Sequence, residues 1–345
     1  MARALQNLGL SFRPVERNES SFRQAFRRTQ AMARHLIRHS LPSPTVGMRK
    51  LMEYVLRKQR PSVYPFVLQY AFCRRERDGE KIRRVAAAIH LLQQSSFLTD
   101  DIFDRGEVRY GHPPVYLKYD VNHAIIAAEL LQGIAFRCIS EELAGSGFRN
   151  TAAVFKLLNQ ILLDGYSGQY LDLFNSARPG VTLRQYYRTI ALGAGRAIQN
   201  VARCGALLAG KPKEEVHVLS RFGYYCGMAM FIVDDIVDML PTRMTGKTYA
   251  SDLKGRRMRL PLILALRLAN RSQRQLLRRF LRKGAARRPS IEQVTAVIRD
   301  CNAVEASQRI ARRYLRASLR SLTKLPPGIT AERFRWLAES QLPLV

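Results

Sequence analysis

The sequence predicts an all-α protein built as a single large helical bundle. Helical periodicity dominates from Ser20 onward, and few alternating β-branched runs compete with it. The breaks are short clusters of Gly, Pro and polar residues, none of them a long low-complexity linker, so the segments between them read as one domain. Two apolar runs, Ala86 to Leu98 and Tyr224 to Val233, each end in an aspartate cluster of the same spacing.

Taken in order, residues 1–40 are Arg-rich, with only Glu16 and Glu19 as acids. They are expected to form an exposed basic arm, partly disordered, ahead of an all-α domain over 41–345; the composition also resembles a transit peptide. The run from Ala86 leads into Asp100-Asp101-Ile102-Phe103-Asp104. On a helix Asp100 and Asp104 share a face, with Asp101 beside them. Carboxylates crowded into one turn repel each other, which is costly unless a cation sits between them. Asp234-Asp235-Ile236-Val237-Asp238 repeats the spacing 134 residues later, without wider similarity around it. Paired oxygen clusters of this kind suit Mg²⁺, which takes a few carboxylates plus substrate phosphates. The alternative is two solvated acidic helix ends.

Cations follow both clusters: Arg105 and Arg109 in a Gly/Pro loop after the first, and Lys247, Lys254, Arg256 and Arg257 after the second. Each alone reads as a surface charge; beside the aspartates, Arg109, Lys247 and Arg257 suit a diphosphate shared between metal and Lys/Arg. Residues one and two turns before the aspartates, namely Gln93, Ser96 and Phe97 on one helix and Met230 and Phe231 on the other, would line an apolar pocket between facing helices.

Lys+Arg total 57 against 27 Asp+Glu, a net charge of +30, which favours anionic partners. Zinc-finger spacing and the aromatic-basic pattern of an RNA-binding sheet are both missing, so no specific nucleic-acid partner is expected. Five dispersed cysteines without a Cys-x-x-Cys pair read as reduced, buried thiols of a cytoplasmic protein, and no transmembrane segment is expected.

From Met48 to Leu266 the chain resembles the trans-isoprenyl diphosphate synthases, or polyprenyl synthetases, and the class I terpene synthases that share their fold. The two Asp-Asp-x-x-Asp clusters look like the family's aspartate-rich motifs. Arg109-x-Gly111-x-Pro113, Gly168-Gln169-x-x-Asp172, Gly205 to Gly210, and Gly246-Lys247 with Asp252-Leu253 and Leu260-Pro261 resemble further family segments. The resemblance implies an isoprenoid synthase bundle, usually a homodimer. It also implies three Mg²⁺ ions that bridge Asp100, Asp101, Asp104, Asp234 and Asp238 to an allylic prenyl diphosphate and stabilise departing pyrophosphate, with Asp235 in the same catalytic set.

Departures from the pattern bear on what the resulting cation meets. The loop that binds isopentenyl diphosphate corresponds to Val55 to Pro61, without its glycines but with Arg57 and Arg60. Gln93 keeps a family contact, whereas Tyr110 stands for an Arg, Gly193-Ala194 for a Lys-Thr pair and Met230-Phe231 for Phe-Gln. Each lost charge removes about 1.5–3 kcal/mol of phosphate contact. The resulting expectation is a terpene synthase acting on one allylic diphosphate, with a chain-elongating prenyltransferase as the close alternative and a non-catalytic partner subunit as a third. Small Ser95 and Ser96 before the first cluster predict room for a long tail, C15 to C20 rather than C10, by resemblance to the elongating enzymes.

Overall fold

The computed structural model describes residues 19–41, 45–57, 62–239, 248–282, 284 and 287–341. These residues form an all-α bundle with no strand among them. Its helices are α1 (Glu19–Ser40), α2 (Val46–Val55), α3 (Val63–Phe72), α4 (Arg83–Asp104), α5 (Val121–Gly145), α6 (Thr151–Asn175) and α7 (Leu183–Ile190). After a π-helical segment at Ala191–Gly195 come α8 (Arg196–Leu208), α9 (Lys213–Val237), α10 (Leu260–Leu268), α11 (Arg271–Leu281), α12 (Ile291–Asp300), α13 (Ala303–Leu322) and α14 (Ile329–Gln341).

Local sequence sets several of the starts. Asp120 caps α5 by accepting from the His123 N–H, and Thr182 with Gln185 forms a capping box on α7. Such caps satisfy amide groups that the helix itself leaves unpaired. Pro261 sits in the first turn of α10, where its missing N–H costs nothing.

The expected exposed arm at residues 1–40 is corrected from Glu19 onward. Phe22, Phe26, Ala33, Leu36 and Ile37 recur at helical spacing, and all are buried in the core. The Arg-rich faces of α1 mask that stripe in the composition; residues 1–18 lie outside the described set.

Two hydrophobic cores meet at the middle of α9. One gathers α1 to α6, α8 and α14 around Phe66, Phe222 and Phe334; the other gathers the end of α9 with α7 and α10 to α13. Half-buried Met230 packs against both. By length and composition alone α5 and α9 are long and apolar enough to cross a bilayer, and 44% and 61% of their apolar windows are buried within the bundle. Helices buried all round carry this signature without a membrane. Cys73, Cys138, Cys204 and Cys226 are free and buried, as expected, and Cys301 is half-buried.

Candidate active site

Both aspartate clusters lie at helix C-termini, where the chain turns away and leaves carboxylates at the rim. Helix α4 stops at Asp104 because Arg105 turns left-handed, with φ of 52°, and the Gly106 N–H bonds the Asp101 carbonyl at 3.1 Å. A Cβ at Gly106 would stand 3.3 Å from Asp101 Oδ1, so the backbone passes close to that carboxylate.

The three carboxylates of the first cluster divide. Asp101 turns inward and pairs with Arg109, whose Nε is 2.7 Å from Oδ1. Asp100 and Asp104 share the other face, as the four-residue spacing requires. Burial, with Asp104 as the next cause, pushes Asp100 up to about 7; burial also raises Asp104, to about 6, against the pull of Arg259 and Arg257.

The second cluster divides likewise. Asp234 is exposed. Asp235 accepts from the Tyr186 hydroxyl at 2.6 Å and from the Leu260 N–H at 3.1 Å, which anchors α9 to α7 and α10. Asp238 accepts from the hydroxyl and N–H of Ser251 and from the Asp252 N–H, and burial raises its pKa. Asp101 and Asp238, both expected as metal ligands, therefore accept from protein donors, and Asp104 pairs with Arg257 at 2.8 Å.

Between the clusters runs a chain of alternating charge. Arg257 pairs with Asp104 at 2.8 Å and Asp172 at 3.0 Å; Arg259 pairs with Asp172 at 2.7 Å, Asp252 at 2.8 Å and Asp235 at 3.7 Å. Arg257 also donates to the Phe103 carbonyl. Arg257 and Asp172, both expected to bind substrate, here pair with each other beside Asp104. Arg259 was missed, because in so basic a chain nothing marked it out from surface arginines; its one signal was its place between the Asp252-Leu253 and Leu260-Pro261 pairs.

Gln93 and Gln169 each keep one buried polar atom, Oε1 and Nε2, without a hydrogen-bond partner among the described residues. Native interiors rarely leave such groups unsatisfied, and a ligand is one way to satisfy them. The Arg109 guanidinium lies 5.0 Å from the Phe97 ring centroid, and that of Arg259 lies 5.4 Å from Phe231. Ser95 is buried and accepts from Gln132, whereas Ser96 is exposed, so only Ser95 belongs to the interior wall. Arg60 and Lys247 lie outside the described residues.

The positions that departed from the family pattern have packing accounts. Tyr110 and Gly111 both have positive φ, 54° and 80°, and join Arg109 to His112 through paired N–H···O bonds of 2.8 and 3.0 Å. That is a two-residue hairpin turn. It sets Arg109 and His112 opposite each other in a narrow cleft of about 50 Å³, which Arg57, Tyr54 and Asp101 also line. His112 was not anticipated. A Cβ on Gly168 would lie 2.9 Å from the Gly193 nitrogen, so α6 and the π-helical segment touch there; a side chain on Gly193 would run toward the Phe231 ring, 3.7 Å from its Cβ. Phe231 fills that space, and Arg259 stacks on it.

For metal, the two clusters offer hard carboxylate oxygens, the ligand type Mg²⁺ takes. Among the described residues no three His, Cys, Asp or Glu side chains gather tightly enough to hold an ion alone. Mg²⁺ bound through one or two carboxylates plus ligand phosphates fits that arrangement.

Comparison with known proteins agrees with this architecture. Residues 48–298 match the family described as Polyprenyl synthetase. The chain is 25% identical to a geranylgeranyl diphosphate synthase of Sulfolobus acidocaldarius over 75% of its own length and 79% of the relative's. It is 28% identical to a geranylfarnesyl diphosphate synthase of Aeropyrum pernix, covering 70% and 76%. A polyprenyl synthase of Caulobacter crescentus, solved with calcium and isoprenyl diphosphate, shares the fold with a TM-score of 0.81 at 18% identity, over 93% of this chain and 96% of that one.

Proposed function

Because the chain belongs to the polyprenyl synthetase family, we propose that it is a chain-elongating prenyl diphosphate synthase, which condenses an allylic diphosphate with isopentenyl diphosphate. The observation that carries this is the cleft beside Asp101, where Arg57, Arg109 and His112 converge. An enzyme that only ionises one diphosphate has no use for a second cationic subsite against its first aspartate cluster. The relatives named above, both prenyl diphosphate synthases, support the same choice over the terpene synthase first expected. That expectation rested on Tyr110, Gly193 and Phe231, of which Tyr110 is accounted for by the turn and Phe231 by the Arg259 guanidinium against its ring.

In this reading Asp100, Asp104 and Asp234 would hold Mg²⁺, which would supply positive charge to the oxygens of a departing diphosphate. Arg257 and Arg259 add fixed charge on the same side, where preorganised electrostatics lowers the barrier most. The cation left at the allylic carbon lies near the Phe97 and Phe231 faces, which stabilise it. Arg57, Arg109 and His112 hold isopentenyl diphosphate so that its double bond meets that carbon. The C–O bond to pyrophosphate breaks, a C–C bond forms from the double bond to the allylic carbon, and the cation so formed loses a proton to the departing pyrophosphate, which leaves the longer diphosphate. Buried Ser95 leaves space for a tail, and C20 or longer products suit both that and the relatives. We further propose a homodimer through the exposed apolar face of α5 and α6, which carries Ile125, Ile126, Leu163, Leu173 and Phe174.

Purified protein with Mg²⁺ and geranyl, farnesyl or geranylgeranyl diphosphate, each with and without isopentenyl diphosphate, tests the reaction. A longer diphosphate formed only when isopentenyl diphosphate is present is expected. Hydrocarbon or alcohol as the main product from the allylic substrate alone would overturn it.

A further inference from the structure

A second cleft lies on α9 well away from the aspartates. It has a volume of about 360 Å³ and is lined by His217, Val218, Arg221 and Tyr225 from α9, and by Ala317, Arg320, Ser321 and Lys324 from α13 and the turn after it. Arg221 precedes Asp234 by 13 residues on one helix, which places the two about 20 Å apart at 1.5 Å per residue. The cleft is therefore not an extension of the active site.

Its chemistry is one-sided. No carboxylate lines it, and among the described residues none forms an ion pair with Arg221, Arg320 or Lys324. Among the described residues Arg221 lies over the Tyr225 ring, at 5.9 Å, and Arg320 donates to the Arg316 carbonyl. The sole acid of α13, Glu305, lies 15 residues before Arg320. Cations that converge on a concave surface repel one another, and the repulsion is relieved when an anion sits among them. The Tyr225 hydroxyl adds a neutral hydrogen-bonding group, while the Ser321 hydroxyl donates to the Ala317 carbonyl at 3.0 Å. Val218 and Ala317 give the cleft an apolar wall. Its volume falls within the range of small-ligand sites.

We infer that this cleft binds a phosphate-bearing anion, with Arg221, Arg320 and Lys324 taking the phosphate oxygens and Val218, Ala317 and the Tyr225 ring lying against its apolar part. Guanidinium and ammonium groups from two helices suit a tetrahedral group approached from several sides. The phosphate has two possible sources, a free phosphate or diphosphate ester in solution and the headgroup of an anionic lipid at a bilayer surface.

The test uses the full chain in EDTA, so that metal-dependent binding at the aspartates is silent. Inorganic pyrophosphate is titrated by calorimetry, and co-sedimentation is measured with vesicles of phosphatidylcholine alone or mixed with phosphatidylglycerol. Two variants are compared at equal net charge: Arg221→Ser/Arg320→Ser/Lys324→Ser in the cleft, and Arg271→Ser/Arg278→Ser/Arg279→Ser on exposed positions of α11. Wild type is expected to bind at least one probe. The cleft variant should lose that binding at least tenfold while the α11 variant retains it, and both should keep wild-type turnover in solution. Loss with pyrophosphate identifies a soluble ligand; loss with phosphatidylglycerol vesicles alone identifies a headgroup. Equal weakening in both variants, binding unchanged in the cleft variant, or no binding by wild type to either probe overturns the inference.

Discussion

Arg257 and Arg259 divide one carboxylate between them: Nη1 of Arg257 lies 3.0 Å from Oδ2 of Asp172, and Nη1 of Arg259 lies 2.7 Å from Oδ1. Asp172 is 7% exposed, so both contacts are shielded from water. Replacing it with Asn would leave two buried guanidinium groups short of one counter-charge. Breaking a buried pair in this way costs about 3–5 kcal/mol. Asp172→Asn should therefore unfold at markedly lower urea than wild type; an unchanged midpoint would mean that Asp104, Asp235 and Asp252 suffice.

Asp100 should behave in the opposite sense. Its carboxyl is pushed up to about 7 by burial and by Asp104, so without metal the ionised form is a liability to the fold. Asp100→Asn removes it. The metal-free variant should melt higher than wild type at pH 8, yet turn over at least about 100-fold more slowly, the scale of losing one electrostatic contact to a transition state. Scanning calorimetry with EDTA and a turnover assay with Mg²⁺ read the two effects separately.

Some of these relationships are written in the sequence and others arise only on folding. The bundle, both aspartate clusters, Asp172 and Arg257 were legible, because a carboxylate cluster at the end of an apolar run is rare enough to stand out. Arg259, His112 and Tyr186 were not. Their roles come from tertiary contacts across long stretches of chain, and the signal of any one arginine is diluted among 57 basic residues. The same dilution hid the Phe22, Phe26 and Ala33 stripe in α1. Tyr110 failed for a different reason. A missing charge is visible in sequence, but a left-handed turn that requires no charge is not.

Stability without metal should depend on pH in a direction set by the same carboxylates. Asp100 at about 7 and Asp104 at about 6 both lie above the ordinary aspartate value of about 3.9. Between those values the folded protein binds more protons than the unfolded chain, so stability falls as pH rises. It is complete below about pH 4 for these groups and lost by the time pH passes about 7. Melting temperature in EDTA should drop from pH 5 to pH 8. Saturating Mg²⁺ with pyrophosphate should flatten or reverse that slope, since bound cations favour the ionised carboxylates. A slope unaffected by Mg²⁺ and pyrophosphate would argue against Asp100 and Asp104 as ligands.

Roles for the two diphosphates should separate kinetically. Arg57→Ser and His112→Ala alter the cleft beside Asp101 and leave Arg257 and Arg259 intact. Each removes a contact to a charged group worth about 1.5–3 kcal/mol. The KM for isopentenyl diphosphate should rise at least about tenfold, with the KM for the allylic partner nearly unchanged. Equal rises in both would place the cleft on the allylic side.

The turn that builds this cleft provides the sharpest separation of backbone from side chain. Gly111 has φ of 80° and nothing within 4 Å of an added Cβ, so the obstacle to a larger residue is the backbone alone. A β-branched residue at positive φ costs about 1–3 kcal/mol. Gly111→Val should therefore distort the hairpin, lower stability by that amount and raise the KM for isopentenyl diphosphate by misplacing Arg109 and His112. Tyr110→Asn is the counterpart, because Asn tolerates φ near 54° and keeps the turn while removing the ring. If Tyr110 serves the turn, the Asn variant should keep both KM values. If its ring, 6.0 Å from the Arg109 guanidinium, instead orients that cation, Tyr110→Asn should reproduce the KM defect of Gly111→Val without the loss of stability.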